Sequence, residues 1–210
     1  IYKLGIPNIL MQAAYTFYIF GLNLILATFS DQAVTVLGLY YKLQAFFFIP
    51  LGAMQTCIVP VVSYNYAAGK YERCKKTLKV ANIFGIALMM IGVVLFETIP
   101  GPMLHVFSHD PKVISIGEVA FRFIGISFIP LVSSLTFPVF FQALGHAVKS
   151  SILTITRTVF LFIPLAYLFP RFGLNYFWLT FPVTDSITTL AGYLFYRQFV
   201  KKTMPKTIME

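Results

Sequence analysis

The chain has 210 residues, of which 58% are hydrophobic and only 11% are charged, and its mean hydropathy is +0.80. Soluble domains carry roughly 25% charged residues, so this composition excludes an ordinary soluble domain and indicates an all-α polytopic membrane protein. The formal net charge of +9 does not indicate nucleic acid as a partner, because Lys and Arg lie at the ends of apolar runs rather than along one exposed face.

Six apolar runs follow one another along the chain, and each is long enough to cross a bilayer core about 30 Å thick, which needs about 20 residues. We therefore predict six transmembrane helices, at about 6–29, 34–66, 80–99, 115–144, 150–169 and 176–199. Pro7 opens the first run at a position where its missing N–H costs nothing. The second run is the longest, and its prolines at positions 50 and 60 predict a tilt or a kink.

A basic cluster follows the second run and orients the chain. It begins after Tyr64-Asn65-Tyr66-Ala67 and comprises Lys70, Arg73, Lys75, Lys76 and Lys79. Lys and Arg collect in short cytoplasmic loops, and most of the 16 in this chain share the side of this cluster. We expect a multi-pass protein of the cell inner (plasma) membrane with both ends of the segment cytoplasmic. Because the sequence begins at Ile1 and opens at once on an apolar run, we expect a piece of a longer protein.

Polar residues within the apolar runs are the candidates for function, because each is costly in a membrane. Asp185 is the strongest of these candidates. Pro182, three residues earlier, suggests a local helix break of the kind at which transporters hold ions or substrates. Arg157 lies at a similar depth on the preceding helix. Two interpretations stay open: the pair staples the helices together, or it takes part in transport directly.

Other polar residues have simpler explanations. Glu118 and Arg122 have the i,i+4 spacing of a structural ion pair, and Lys42 can extend its ammonium towards the outer surface. His105 and His109 share that spacing, but the neighbouring prolines predict a loop, so we expect no metal site. Paired carboxylates and a Gly-x-Ser-x-Gly elbow are absent from the sequence, and we expect no enzyme.

Several motifs together resemble one family of transporters. They are Gly5-Ile6-Pro7, Tyr64-Asn65-Tyr66-Ala67 with Arg73, Phe141-Gln142-Ala143-Leu144-Gly145, Arg157, and Pro182-x-x-Asp185. In order and spacing they resemble the second six-helix lobe of the multidrug and toxic compound extrusion (MATE) transporters, in the DinF-like branch. The resemblance covers nearly all of residues 1–210, and it implies that the N-terminal lobe is missing from the chain.

The resemblance implies half of a secondary active efflux antiporter, which exchanges Na⁺ or H⁺ for small organic compounds, often cationic. Its partners would be the N-terminal lobe, those compounds and the lipid bilayer. The NorM-like branch holds cations with a Glu and an Asp at positions occupied here by Tyr15 and Ser134. We therefore expect no cofactor, and a coupling ion bound in the missing lobe. The candidate residues of the substrate and ion pathway are Asp185, Arg157, Gln12, Tyr15, Asn23, Gln55 and Gln142.

Two alternatives remain open. One is a lobe of a lipid-linked oligosaccharide flippase of the same superfamily, whose cavity should carry several basic residues for pyrophosphate. Only Arg157 and Lys42 could serve that role. The other is a membrane interaction module that transports nothing.

Overall fold

The computed structural model describes residues 2–203, with the side chains of residue 9 and of residues 12–203. All regular elements within this range are helical. In chain order they are α1 (Tyr2–Ala27), α2 (Asp31–Ala67), α3 (Tyr71–Thr98), α4 (Pro100–His105), α5 (Pro111–Ala143), α6 (Ala147–Ile155), a π-helical segment (Thr156–Phe162), α7 (Ile163–Leu168), two 3₁₀ segments (Phe169–Phe172 and Leu174–Leu179) and α8 (Thr180–Thr203).

By length and composition, four of the described helical segments could cross a membrane: Asp31–Ala67, Tyr71–Thr98, Pro111–Ala143 and the continuous stretch Ala147–Phe172. A shorter apolar helix covers Gln12–Ala27. The all-α prediction is thus confirmed, whereas the number of six spans stays a prediction.

Helix α5 lies at the centre of the bundle and packs against α2, α3 and α8. Small residues permit these close approaches. At Gly85 in α3 an added Cβ would lie 2.6 Å from Val132 of α5, and at Gly192 in α8 it would lie 2.6 Å from Phe137 of α5. The helices therefore approach each other closely at glycines, where a larger side chain has no room.

Two turns at the same end of the bundle have the same construction. Gly69 (φ +68°) ends α2, where the Lys70 N–H donates to the Asn65 carbonyl at 2.8 Å. Gly145 (φ +78°) ends α5, where the His146 N–H donates to the Phe141 carbonyl at 2.9 Å. Both are Schellman-type ends, which need a residue in the left-handed region and therefore favour glycine.

Several predicted boundaries differ from the structure because hydropathy marks the apolar part of a helix and not its ends. Helix α3 begins at Tyr71, so Arg73 and the lysines after it lie on a helix and not in a loop. The predicted loop after Pro100 contains the short helix α4. Since α1 begins at Tyr2, Pro7 lies inside the helix rather than at its first position.

Pro182 also plays a different part from the predicted one. It lies in the first turn of α8, which begins at Thr180. The N–H groups of a first turn have no partner within the helix in any case. Pro182 therefore costs α8 no hydrogen bond, and the predicted break near Asp185 is wrong.

Candidate functional site

A cavity of about 510 Å³ opens between α1, α2, α5, α6 and the start of α8. Its wall combines amide, hydroxyl and aromatic side chains with a few aliphatic ones. The lining residues are Gln12, Tyr15, Tyr18, Tyr40, Gln44, Phe48, Gln55, Ser134, Leu135, Pro138, Val139, Gln142, Ser150, Thr154, Arg157, Thr158 and Phe181. Such a mixture of polar groups and aromatic surface is typical of sites that bind small organic molecules.

The structure brings most of the candidate residues to this cavity. Its lining includes Gln12, Tyr15, Gln55, Gln142 and Arg157. These residues come from four parts of the chain, so their convergence is a property of the fold that their spacing alone does not reveal.

Asn23 lies elsewhere. It is about 12 Å further along α1 than Tyr15, at 1.5 Å per residue, and it is not part of the cavity wall. Its side-chain amide donates to the Ile19 carbonyl at 2.8 Å, one turn back on its own helix. A polar side chain in an apolar helix can be satisfied locally in this way, so the structure does not place Asn23 in the candidate site.

Arg157 and Asp185 form a buried ion pair beside the cavity. Arg157 Nε donates to Asp185 Oδ1 at 2.7 Å, and the two side chains are 9% and 1% exposed. Ser134 Oγ donates to the same carboxylate oxygen at 3.0 Å. The pair thus connects α8 to the π-helical segment and to α5, and only its Arg157 end reaches the cavity wall.

The position of Arg157 depends on the π-helical segment Thr156–Phe162. Pro164 follows two residues after this segment, and it lacks the N–H that an α-helix would use to bond the carbonyl four residues earlier. A local π-helix is one way to absorb such a break, and π-helical turns occur frequently at functional sites. The Arg157 guanidinium carbon lies 5.0 Å from the centre of the Phe162 ring in the same segment, which supports the side chain from one side.

Some buried polar atoms near this pair lack a hydrogen-bond partner among the described residues. They include Asp185 Oδ2, Thr184 Oγ1 and Thr180 Oγ1 at the start of α8, and Gln55 Nε2 on the cavity wall. An unpaired buried polar group is costly, by about 1–3 kcal/mol. Four of the eight such atoms among the described residues lie on the cavity wall or in the first two turns of α8.

Sequence reasoning missed several residues of the wall. Tyr18 and Tyr40 were not considered, although Tyr18 follows Tyr15 at i,i+3 and therefore shares its face. Ser150, Thr154 and Thr158 also line the cavity, and their spacing of four residues is a polar stripe that the sequence could have revealed.

The predicted Glu118–Arg122 ion pair is not formed, since the structure brings no oxygen of Glu118 within 4.0 Å of an Arg122 nitrogen; the ion pairs of the described residues are Lys75–Glu72 and Arg157–Asp185. The Glu118 carboxylate instead lies against Gly101 of α4, where an added Cβ would be 2.6 Å from Oε1. Arg122 is exposed. Spacing places two residues on one face, but the neighbouring helix decides where the carboxylate points.

Among the described residues no group of three His, Cys, Asp or Glu side chains could hold a metal ion. The rings of His105 and His109 have their centres 6.4 Å apart, with His105 on α4 and His109 in the loop after it.

Comparison with protein families gives one match that covers most of the chain: the family model described as MatE matches residues 7–168. Multidrug export protein MepA of Staphylococcus haemolyticus is 26% identical over 176 residues, which cover 83% of this chain and 38% of that protein. An FAD transporter of Shewanella oneidensis is 24% identical over 169 residues, which cover 80% of this chain and 37% of that protein. The chain therefore spans less than half the length of these curated relatives.

Among solved structures, a multidrug resistance MATE family transporter in an outward-facing conformation matches with a TM-score of 0.90. The match covers 98% of this chain and 47% of that one, at 20% sequence identity. At this identity the likeness concerns the fold, and it extends over one half of the larger molecule.

Proposed function

Because this chain belongs to the MatE family, whose members are membrane transporters and not enzymes, we propose that it forms one half of a secondary active exporter. That exporter would move small organic compounds out of the cell in exchange for Na⁺ or H⁺. The other half would be the N-terminal lobe, since each match covers under half of the partner protein. The assignment to the DinF-like branch belongs to the same proposal.

The observation that carries this proposal is the cavity beside the Arg157–Asp185 pair. The cavity has a volume of about 510 Å³, and its wall carries glutamine, tyrosine and hydroxyl side chains. Such a wall suits the changing contacts of a transported molecule. In transporters built from two lobes, the substrate site lies at the lobe interface and opens to each side as the lobes rock. This cavity would be one wall of that site.

The Arg157–Asp185 pair would hold the wall in shape during this motion. It ties α8 to the π-helical segment through a 2.7 Å contact. Replacing both partners of a buried ion pair is often neutral for stability, so we assign this pair the role of specifying how the two segments are arranged. Either neutralisation of Asp185 or a change at Arg157 would release the two helices. We therefore assign the pair the role of a polar latch at the cavity.

The coupling ion would bind in the other lobe. The described residues that line the cavity include no Asp or Glu, and Asp185 is engaged by Arg157 and Ser134. Tyr15 and Ser134, at the two positions where a carboxylate would mark the NorM-like branch, lie on the wall without one. We also infer that the basic ends of the chain face the cytoplasm in the plasma membrane.

The flippase reading has weaker support. A pyrophosphate-linked lipid calls for several cationic groups, whereas Arg157 is the cationic residue among the described lining residues and Lys42 is exposed outside the cavity. The named substrates of the relatives, drugs for MepA and FAD for the other transporter, leave a range of small organic compounds to be tested.

The experiment is an efflux measurement in reconstituted vesicles. Fluorescent organic compounds are loaded, and efflux is compared between the two-lobed transporter that contains this chain and the chain alone, under separate Na⁺ and H⁺ gradients. Gradient-driven efflux only with both lobes would support the exporter and identify the ion. Absence of movement under both gradients would exclude it, and lipid-linked sugars would then be the substrates to test.

Asp185→Asn in the two-lobed protein is expected to abolish efflux at normal expression. Asp110→Asn is the matched control, because Asp110 caps α5 outside the cavity by accepting the Lys112 N–H at 2.8 Å, a role that Asn also fills. Drug resistance unchanged by Asp185→Asn would rule out the importance of the latch.

A further inference from the structure

The charge of the cavity wall has one source. Among the described residues that line the cavity, Arg157 is the one with a formal charge at neutral pH. The remaining polar groups are amides and hydroxyls, which carry no net charge. The wall is therefore positive at one point and neutral elsewhere.

The negative partner of Arg157 lies on the far side of it. Asp185 is 1% exposed and is not part of the cavity wall. Because Coulomb energy falls with distance, a charged group in the cavity meets the guanidinium first and the carboxylate behind it. The pair is neutral as a whole, but the pole that it presents to the cavity is positive.

Arg157 also has donors left for a ligand. Its Nε is used by Asp185, and among the described residues no acceptor is hydrogen-bonded to its two terminal nitrogens Nη1 and Nη2. Neither of these atoms is among the buried polar atoms without a partner, and the Arg157 side chain is 9% exposed and lines the cavity. The two terminal N–H groups of a guanidinium match the two oxygens of a carboxylate or phosphate.

The surroundings fix this donor pair in place and add apolar surface beside it. Phe162 supports the guanidinium at 5.0 Å, and Tyr18 packs against Phe162 with ring centres 4.6 Å apart. Tyr15, Tyr40 and Phe181 continue the aromatic wall. A flat aromatic body has a surface to pack on next to the charged point.

We propose that this half of the cavity binds organic anions: a carboxylate or phosphate group on Nη1 and Nη2 of Arg157, with an aromatic body against the tyrosine and phenylalanine wall. The inference rests on the proposed export function, and it replaces the expectation of often cationic compounds that the family resemblance implied. It assigns Arg157 two tasks, of which the latch uses Nε and the ligand uses the terminal nitrogens.

The test is equilibrium binding to the two-lobed transporter that contains this chain, in nanodiscs of zwitterionic phosphatidylcholine, with empty nanodiscs subtracted. Three probes share one aromatic body and differ in charge: 2-naphthoate, 2-naphthamide and 2-naphthyl-trimethylammonium. The naphthoate is expected to bind at least about tenfold more tightly than the other two, which corresponds to one charged hydrogen-bonded contact. Equal binding, or tighter binding of the ammonium compound, would overturn the proposal.

Two variants test whether Arg157 causes the preference for the anion. In the double variant Arg157→Gln/Asp185→Asn, which leaves no unpaired buried charge, the preference is expected to vanish; its survival there would overturn the proposal. Lys42→Gln removes an exposed cation outside the cavity and should leave all three affinities unchanged. If the protein binds the anion preferentially but shows no efflux, the export function alone is contradicted. If it shows efflux but binds the cation preferentially, this inference alone is contradicted.

Discussion

The two sides of α5 differ in how they are held. On one side α5 meets α3 in a packed seam formed by Gly85, Gly92, Phe96, Phe121 and Phe128, where the Phe96 and Phe121 rings stack with centres 4.6 Å apart. On the other side it contributes to a polar wall that we define as Gln55, Ser134, Gln142 and Arg157, and Asp185 lies behind this wall as the ion-pair partner of Arg157. The seam is apolar and close-fitting, whereas the wall is polar and encloses space.

This difference indicates that stability and the proposed function reside in different parts of the bundle. Seam residues such as Phe96, Phe121 and Phe128 are fully buried, and close packing without voids is what holds helices together in a membrane. The wall includes Gln55 Nε2, and the carboxylate behind it includes Asp185 Oδ2; neither buried atom has a hydrogen-bond partner among the described residues. The packing of the seam can therefore keep the bundle folded, although these two polar atoms at the wall and behind it do not contribute to its stability.

The largest expected effect comes from breaking the ion pair of the wall on one side only. Arg157→Gln leaves the Asp185 carboxylate buried without its cation, and it should lower the free energy of unfolding by about 3–5 kcal/mol. The measurement is unfolding in mixed detergent micelles, followed by circular dichroism.

The matched control for that change is Arg157→Gln/Asp185→Asn, which removes both charges and should restore most of the lost stability. If the single variant were as stable as the original protein, Asp185 would not be an uncompensated charge, and the account of the pair would be wrong.

A second change tests the seam. Gly85→Ala would place a methyl group 2.6 Å from Val132 Cγ1 and 3.3 Å from Leu51 Cδ1, and overpacking of this kind should cost about 1–3 kcal/mol of unfolding free energy. Efflux by the folded fraction should remain normal, because Gly85 is not one of the residues that line the cavity.

Gly38→Ala serves as the control for the seam, since no heavy atom lies within 4 Å of the added Cβ. Alanine is the better helix former by about 1 kcal/mol, so this variant should be neutral or slightly more stable. Equal costs at both glycines would show that the seam is not close-packed.

A smaller effect is expected where α8 is joined to α5 by a hydrogen bond. Thr189 Oγ1 donates to the Pro130 carbonyl at 2.6 Å, and Thr189→Val should cost about 0.6 kcal/mol, the average for such bonds in membranes. The same denaturation assay measures it. Thr98→Val is the control, because Thr98 bonds only the Val94 carbonyl of its own helix; a cost as large there would remove the interhelical explanation.

The smallest effect is expected at the Tyr18–Tyr41 contact. Their hydroxyl oxygens are 3.4 Å apart, which is long for an O–H···O bond. Tyr41→Phe should therefore change the free energy of unfolding by less than about 0.5 kcal/mol. A loss above 1 kcal/mol would mean that this contact contributes more to the stability of the bundle than its length indicates.

Much of the fold could be predicted because long apolar runs leave a chain few alternatives in a membrane. The pairing of Arg157 with Asp185 was also open to prediction, since both lie at similar depth on neighbouring helices and each is costly alone. Which nitrogen of Arg157 bonds Asp185 was not open to prediction. That Nε bonds Asp185 while Arg157 also lines the cavity depends on the π-helical segment, which sequence periodicity does not reveal.

Two of the failures concern the partner that a polar side chain selects. Glu118 has the right spacing for Arg122, yet its carboxylate lies against Gly101. Asn23 has the right polarity for the cavity, yet it bonds its own helix at Ile19. Sequence spacing gives the face of a helix, but the partner on that face follows only from packing.

The most direct test of the central claim is efflux by the two-lobed transporter carrying Arg157→Gln/Asp185→Asn, measured in vesicles beside the stability of the same preparation. If the pair works at the cavity wall, the variant should stay folded, with an unfolding free energy within about 1 kcal/mol of the original, and should lose efflux. Efflux at the original rate from an equally stable variant would contradict the claim and reduce the pair to a staple between helices.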